Sequence, residues 1–178
     1  MKKLLLATII ALTFASGNAQ DKAMSTGGSI QFSIGVEPSL PIGDFHDIGY
    51  NFGIGGSLQG EYKAAEDFGI TLNAGYLTYS AKDYTVGGVT YNGGSFGIVP
   101  VLAGFKYYFS PKVYGHGQLG VSVGTSKGAS SNFTYSPGVG FYLSNNIDLL
   151  LKFTGISGGS GGGSLNAIGA RLAYNFGR

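Results

Sequence analysis

The most constraining feature of this sequence is a period-2 alternation of apolar and polar residues that recurs along most of the chain. Near the C-terminus, for example, Leu172, Tyr174 and Phe176 alternate with Ala173 and Asn175. Successive side chains of a β-strand point to opposite faces, so this period predicts strands with two different faces. Eight segments show it, at residues 30–37, 50–63, 68–76, 96–109, 116–123, 133–143, 147–154 and 168–176.

Composition narrows the class of protein further. Beyond the first twenty residues no apolar run approaches the roughly 18 residues of a membrane-spanning helix. Only 11% of the residues are charged, well below the roughly 25% of a typical soluble domain. Fourteen of the 33 glycines lie within the alternating segments, which also carry most of the 12 Tyr and 12 Phe. We therefore expect one all-β domain rather than a helical membrane protein.

The N-terminus has the layout of a secretory signal. Lys2 and Lys3 precede an apolar or neutral run over 4–14, and small residues at Gly17 and Ala19 suit signal peptidase. The apolar run is about half of the ~20 residues that span a bilayer, which argues against a helical anchor. We predict a signal peptide over residues 1–19, cleaved after Ala19 following export through the Sec pathway, and a mature domain over residues 20–178.

Charge and cysteine content exclude several functions. Removing Lys2 and Lys3 brings the formal charge from +2 to zero, so no basic surface for nucleic acid is expected. The chain has no cysteine, which excludes disulfides, thiolate metal sites and a lipoprotein anchor.

The connections between the predicted strands alternate in length. Short turns are predicted at 64–67, 110–112 and 144–146, and longer loops at 41–49, 82–94, 124–131 and 157–164. Outer-membrane barrels have short periplasmic turns and long extracellular loops. A soluble sandwich or lipocalin would share the alternation of residues, but this asymmetry favours the membrane.

Aromatic residues of the apolar face cluster toward the strand ends, with aliphatic residues between them. This arrangement suits the two interfaces of a bilayer. Lipid cannot satisfy an open strand edge, so the sheet must close, and we predict an eight-stranded antiparallel up-and-down transmembrane β-barrel. The predicted girdle residues are Tyr62, Phe68, Tyr107, Phe109, Phe141, Tyr174 and Phe176 at the short-turn end, and Tyr50, Phe52, Tyr76, Phe133, Tyr135 and Phe153 at the other.

Several segments resemble a known family. They are residues 40–45, which read LPIGDF, residues 100–109, which read PVLAGFKYYF, and the ending at 168–176, which reads IGARLAYNF. Together they are similar to the small outer-membrane β-barrels abundant in Bacteroidetes, whose architecture is like that of OmpX-like and OmpA-like barrels. The resemblance implies the fold and an outer-membrane location. It also implies that Tyr174 and Phe176 form the signal that the barrel-assembly machinery reads.

The polar face carries most of the ionisable residues of the strands. An eight-stranded barrel is only wide enough to be filled by side chains, so we expect these charges to pair as a structural plug rather than line a pore. Inward Tyr108, Tyr114 and Tyr142 are expected to lie over glycines of neighbouring strands. The predicted lumen network comprises Glu61, Lys63, Lys106, His116, Asp148, Lys152 and Arg171.

One group outside the barrel has metal-binding or acid–base residue types. Asp44, His46 and Asp47 lie in the first long loop, although three polar residues are also ordinary for a solvated turn. The only histidines are His46 and His116, and neither lies in a recognisable catalytic signature. We therefore expect no catalytic residue, no metal and no cofactor.

These observations favour a structural or surface-interaction role at the outer membrane. Expected partners are outer-membrane lipid, lipopolysaccharide and, during biogenesis, the barrel-assembly machinery, with the protein itself monomeric. The loop at 82–94 is the better contact surface, because residues 84–91 are expected to form a hairpin. The Gly/Ser-rich composition of residues 157–164 indicates a natural but mobile loop, which is a poorer docking surface. The alternatives are a narrow channel, a barrel enzyme or a soluble lipocalin-like binder.

Overall fold

The computed structural model describes residues 28–126, 128–158 and 163–176, and the predicted signal peptide lies outside this part of the chain. The first alternating segment forms a strand that ends at Val36, one residue short of its pattern, and each of the others forms a strand as long as its pattern or longer. The described elements are β1 (Ile30–Val36), β2 (Ser39–Ile42), the helix α1 (Asp44–Asp47), β3 (Tyr50–Lys63), β4 (Phe68–Ala81), β5 (Tyr84–Val86), β6 (Val89–Tyr91), β7 (Ser95–Ser110), β8 (Val113–Gly124), β9 (Ser131–Tyr142), β10 (Ile147–Ile156) and β11 (Leu165–Phe176).

The strands close into a ring in which every pairing is antiparallel. Strands β3, β4, β7, β8, β9, β10 and β11 follow one another around the ring, and β1 and β2 close it by pairing with both β11 and β3. β1 and β2 act as one barrel strand because their register with β11 continues across the break, from Phe32 opposite Phe176 to Ser39 opposite Gly169. The prediction of an eight-stranded barrel is confirmed.

The two faces of the barrel differ in polarity. On β9, Thr134 and Ser136 are buried in the lumen, whereas Phe133 and Tyr135 are exposed on the outer face. The outer face is therefore an apolar belt, and the polar side chains fill the interior. Among the described residues, no helix is long and apolar enough to cross a membrane.

One residue of the expected outer girdle lies elsewhere. Tyr50 is half-buried and packs inside the barrel mouth against Phe45 and Phe96, with ring centroids 5.2 Å and 6.2 Å away. The prediction that Tyr50 faces outward is wrong because the register between β3 and β4 shifts between Tyr50 and Phe52. Such an irregularity re-aims a side chain at the rim of a barrel.

The loop between β4 and β7 carries the expected hairpin. Strands β5 and β6 pair with Tyr84 opposite Tyr91 and form a sheet separate from the barrel. The connecting residues Gly87 and Gly88 have φ values of 60° and 81°, as the two central positions of a type I′ turn require. The prediction of a hairpin over residues 84–91 is confirmed.

An arginine in the apolar belt should destabilise the barrel according to its depth. Leu72 is 62% exposed and lies midway along β4 between the girdle residues Phe68 and Tyr76. We expect Leu72→Arg to lower the free energy of unfolding by about 2–4 kcal/mol, as for a cation at the bilayer midplane. Reversible urea unfolding in lipid vesicles measures it.

The matched control is Ser80→Arg, near the loop end of the same strand, for which a cost of about 0–1 kcal/mol is expected. Equal costs for the two variants would contradict the assignment of the outer face to the membrane.

Candidate functional site in the barrel lumen

The end of the lumen near the short turns is filled by an ion pair and a cluster of tyrosines. Lys106 Nζ on β7 lies 2.8 Å from Glu61 Oε2 on β3, and both side chains are almost fully buried. The Tyr108 hydroxyl donates a hydrogen bond to the second Glu61 oxygen. Lys106 Nζ also lies 4.6 Å from the centre of the Tyr114 ring, a cation–π contact. The pair is thus held from three strands.

Asp148 on β10 is bound by neutral donors. The hydroxyl of Tyr114 on β8 donates to Asp148 Oδ2, and Asn175 Nδ2 on β11 donates to Asp148 Oδ1 at 2.8 Å. Tyr114 packs with Tyr142 and Leu150 into a buried cluster. A buried carboxylate cannot be solvated by water, and these donors to both of its oxygens provide hydrogen bonds in place of solvent.

The largest group of charges surrounds Glu37, at the break between β1 and β2. Lys152 Nζ lies 2.6 Å from Glu37 Oε2, and Arg171 Nε lies 3.6 Å from Glu37 Oε1. Ser57 donates to the same carboxylate and accepts a 2.8 Å hydrogen bond from Arg171 Nε. The Arg171 guanidinium also donates to Ser33 Oγ at 3.1 Å. We call Glu37, Ser57, Lys152 and Arg171 the Glu37 cluster.

Sequence reasoning did not include Glu37 among the lumen charges, although Glu37 forms ion pairs with two residues that were included, Lys152 and Arg171. The signal was present, because Ser33, Gly35 and Glu37 occupy alternate positions on the polar side of the first segment. Pro38 follows directly, and because proline has no backbone N–H donor it is confined to strand edges, strand starts and bulges. The side chain of Glu37 is 1% exposed.

The two remaining predicted lumen residues lie at different depths. Lys63 is half-buried at the short-turn mouth, with Nζ 4.3 Å from the centre of the Tyr108 ring. His116 is buried, and its Nε2 lies 2.9 Å from Thr71 Oγ1. The lumen therefore separates His116 from solvent and from the loop histidine, His46.

An apolar cap closes the other end of the lumen. The short helix α1 turns Phe45 into the barrel mouth, where Phe45 is 1% exposed and packs at 4.7 Å against Tyr79. Leu77, Ile98 and Ile156 complete this buried cluster. These positions follow the inward side of their strands, so apolar residues replace polar ones near the loops. We call this cluster the Phe45 cap.

Asp44, His46 and Asp47 surround the cap on its outside. All three are exposed, His46 Nδ1 lies 3.6 Å from Asp47 Oδ1, and His46 Nε2 lies 3.1 Å from Lys82 Nζ. Within the described ranges, no three His, Asp or Glu side chains are grouped to hold a metal ion. The residues that sequence reasoning placed in one loop site are therefore not assembled as a ligand set.

Tyr174 and Phe176 lie on the outer face of β11. Their rings are 5.2 Å apart in an edge-to-face arrangement. β11 closes the barrel at this end, with Phe176 opposite Phe32 and Tyr174 opposite Ile34. Both aromatic side chains are accessible from the lipid side of the closing strand pair.

Little space remains in the lumen between the polar clusters and the Phe45 cap. A cavity of 20 Å³ lies between the Glu37 cluster and the Phe45 cap, about the size of one water molecule. The open spaces are at the mouths, 640 Å³ beside Lys63 and Tyr108 and 180 Å³ beside Phe96 and Leu165. Among the described residues, the geometry between the two mouths is that of a packed interior.

Removing the charge of Glu37 should be strongly destabilising. Glu37→Gln keeps the shape of the side chain but leaves Lys152 and Arg171 without their carboxylate in a buried position. Breaking a buried ion pair by removing one partner costs about 3–5 kcal/mol. The measurement is the free energy of unfolding in detergent or lipid, with the folded fraction read from the heat-dependent mobility of the barrel on gels.

The matched control is Glu66→Gln, the same chemical change in an exposed turn, where we expect about 0.5 kcal/mol or less. If Glu37→Gln were as mild as Glu66→Gln, the Glu37 cluster would not stabilise the barrel.

Comparisons with known proteins agree with this architecture. Residues 4–176 match the family described as "Outer membrane protein beta-barrel domain". No curated protein is significantly similar in sequence. Similar solved structures include the attachment invasion locus protein Ail of Yersinia pestis, in complex with the heparin analogue sucrose octasulfate. It is 19% identical with a TM-score of 0.53, covering 85% of this chain and 100% of that one.

Two further structures have the same fold. The N-terminal β-barrel domain of Pseudomonas aeruginosa OprF is 15% identical with a TM-score of 0.53, covering 84% of this chain and 99% of that one. A de novo designed transmembrane β-barrel is 15% identical with a TM-score of 0.52, covering 87% and 100%. At these identities the likeness is one of fold alone.

Proposed function

Since the chain belongs to the outer-membrane β-barrel domain family, we propose that it is a closed integral barrel that acts through its extracellular loops, with a structural or surface-interaction role and no catalysis. The observation that carries the proposal is the filled lumen. The Glu37 cluster, the Glu61–Lys106 pair and the Phe45 cap occupy the interior, so the loops and the outer face are the surfaces left for function.

The orientation of the barrel in the outer membrane follows from the lengths of its connections. Short turns face the periplasm and long loops face outward in barrels of this kind, which puts the Phe45 cap and the hairpin of β5 and β6 outside the cell. Export through the Sec pathway with cleavage after Ala19 is part of the proposal. So is membership of the OmpX-like group from Bacteroidetes, which rests on the segments at 40–45, 100–109 and 168–176.

Charge balance supports a plug over a channel. Glu37, Glu61 and Asp148 face Lys106, Lys152 and Arg171 in the lumen, so acidic and basic groups are matched. A channel lining would expose its charges to water, whereas these side chains are nearly all buried. Asp148 is bonded to neutral donors and the others form ion pairs. In an eight-stranded barrel the interior has room for side chains and little else.

The refolded protein in a planar bilayer should therefore show no steady conductance. Phe45→Ala should stay closed as well, because the Glu61–Lys106 pair and the Glu37 cluster fill the lumen below the cap. A porin in the same bilayer serves as the positive control. Steady steps of porin size from the wild-type protein would refute the plug, and steps from Phe45→Ala alone would show that only the cap seals the barrel.

The placement of the histidines supports a role without catalysis. His116 is buried in the lumen and bound to Thr71, where a substrate would have to displace the packed tyrosines. His46 is exposed, but its near polar neighbours are Asp47 and Lys82. His116 does contact a hydroxyl, that of Thr71, but both residues are buried in the lumen, whereas the nucleophile of a hydrolytic enzyme must be open to its substrate.

The hairpin of β5 and β6 is the proposed contact surface. It projects from the barrel as a separate two-stranded sheet, and Val89 and Tyr91 on β6 are 55% and 48% exposed. Exposed strand edges recruit partner strands, and exposed tyrosine is favoured in contact surfaces. Proposed partners are lipopolysaccharide and lipid of the outer membrane, with the barrel-assembly machinery reading Tyr174 and Phe176 during biogenesis. We propose a monomer with no nucleic-acid partner.

Deleting residues 84–91 should abolish surface binding and leave the barrel folded. Binding of the nanodisc-embedded protein to purified lipopolysaccharide and to whole cells is the measurement, with heat-dependent gel mobility as the test of folding. The matched control shortens a different extracellular loop by deleting residues 159–162, which should leave binding unchanged. Wild-type binding by the hairpin deletion would place the contact surface elsewhere.

A further inference from the structure

The small cavity between the Glu37 cluster and the Phe45 cap has an uneven lining. Its volume is 20 Å³. Glu37, Asn73 and Lys152 contribute polar groups, while Leu77 and Ile98 contribute apolar ones. It lies deep within the lumen, at the level where the polar filling of the barrel gives way to the apolar cap.

Asn73 has a buried amide with an unused donor. The residue is 3% exposed, and its Nδ2 makes no hydrogen bond to any described residue. An asparagine amide nitrogen carries two N–H donors. A buried donor without an acceptor is costly, and buried polar groups in folded proteins are nearly always bonded. An acceptor for Asn73 Nδ2 is therefore expected within the cavity that Asn73 lines.

We propose that this cavity binds one ordered water molecule, which accepts a hydrogen bond from Asn73 Nδ2. A bound water needs about 10–15 Å³ and two to four polar partners, and the cavity exceeds that volume. Besides Asn73, the lining supplies the Glu37 carboxylate, the Lys152 ammonium and the hydroxyls of Ser39, Ser122 and Thr154. These groups offer both donors and acceptors around a single position.

The charges around the cavity indicate a neutral ligand. The Glu37 carboxylate already has Lys152 Nζ at 2.6 Å and Arg171 Nε at 3.6 Å, so both cations are engaged with the carboxylate rather than with the cavity. A cation would meet the Lys152 ammonium, and an anion would meet the Glu37 carboxylate. Water can donate to the carboxylate and accept from the amide and the ammonium at the same time.

The water would join Asn73 to the Glu37 cluster, in which Glu37 and Lys152 are already bonded directly. Asn73 lies on β4, Glu37 at the break between β1 and β2, and Lys152 on β10. Bridging them extends the Glu37 cluster across the lumen to the base of the Phe45 cap. This assigns Asn73 a binding role that goes beyond the proposed closed barrel.

The test is water-to-methyl cross-relaxation by NMR on the full refolded chain in lipid nanodiscs. Methyl groups of Leu77, Ile98 and Leu102 line the cavity and should show cross-peaks to a long-lived water. The methyls of Leu150, which packs in the Tyr114 cluster instead, are the internal control and should show none. Absence of water cross-peaks at all three lining residues of the wild-type protein would overturn the proposal.

Two variants of Asn73 complete the design. Asn73→Leu fills the same space without a donor, so the cross-peaks of Leu77, Ile98 and Leu102 should be lost. Asn73→Ser leaves more space and retains a hydroxyl, so the cross-peaks should remain. Heat-dependent gel mobility confirms folding of each variant. Cross-peaks that persist in folded Asn73→Leu would show that Asn73 does not hold the water.

Discussion

Backbone N–H and C=O groups inside a bilayer have no water to bond, so each must find a partner within the protein. This requirement explains why the first and last strands of the chain meet. Even the break in the first strand keeps its bonds, because Glu37 exchanges backbone hydrogen bonds of 2.9 Å and 3.1 Å with Gly55. Pro38 lacks a donor, yet its carbonyl accepts from Ala170 at 3.0 Å. The ring is thereby closed across a residue that would end an ordinary central strand.

Closure with eight strands leaves a narrow interior, and that narrowness governs what the inward side chains can do. Charges placed there are removed from water and must be compensated by one another. Glu61 has Lys106 and a tyrosine hydroxyl, Asp148 has two neutral donors, and Glu37 has two cations and a serine. The polar interior is therefore a set of bonded clusters, and the surfaces available to other molecules are outside the lumen.

Space for these clusters comes from residues without side chains. The Tyr114 ring lies directly over Gly140, its cross-strand partner, where any Cβ would overlap the ring. A glycine at this position lets the ring lie flat on the neighbouring strand and bring its hydroxyl to Asp148. The glycine at position 140 is thus part of the ordered interior, because the Tyr114 ring covers it.

The sequence by itself determined the number of strands, their faces and the hairpin over residues 84–91. Those features depend on the period of the alternation, on the turn residues and on the lengths of the connections, all of which are properties of residues close together in the sequence. The seven predicted lumen residues also followed from alternation, since Lys106 and Arg171 fall on the polar side of their strands. The alternation of apolar and polar residues does not tell which residues of different strands contact each other across the barrel. Glu37 meets Lys152 and Arg171 only because closure joins the first strand to the last, far apart in the chain. Tyr50 turns inward through a register irregularity, and Phe45 enters the mouth because a short helix folds over it. Only the tertiary structure decided these three contacts, because each depends on a pairing or packing partner remote in sequence.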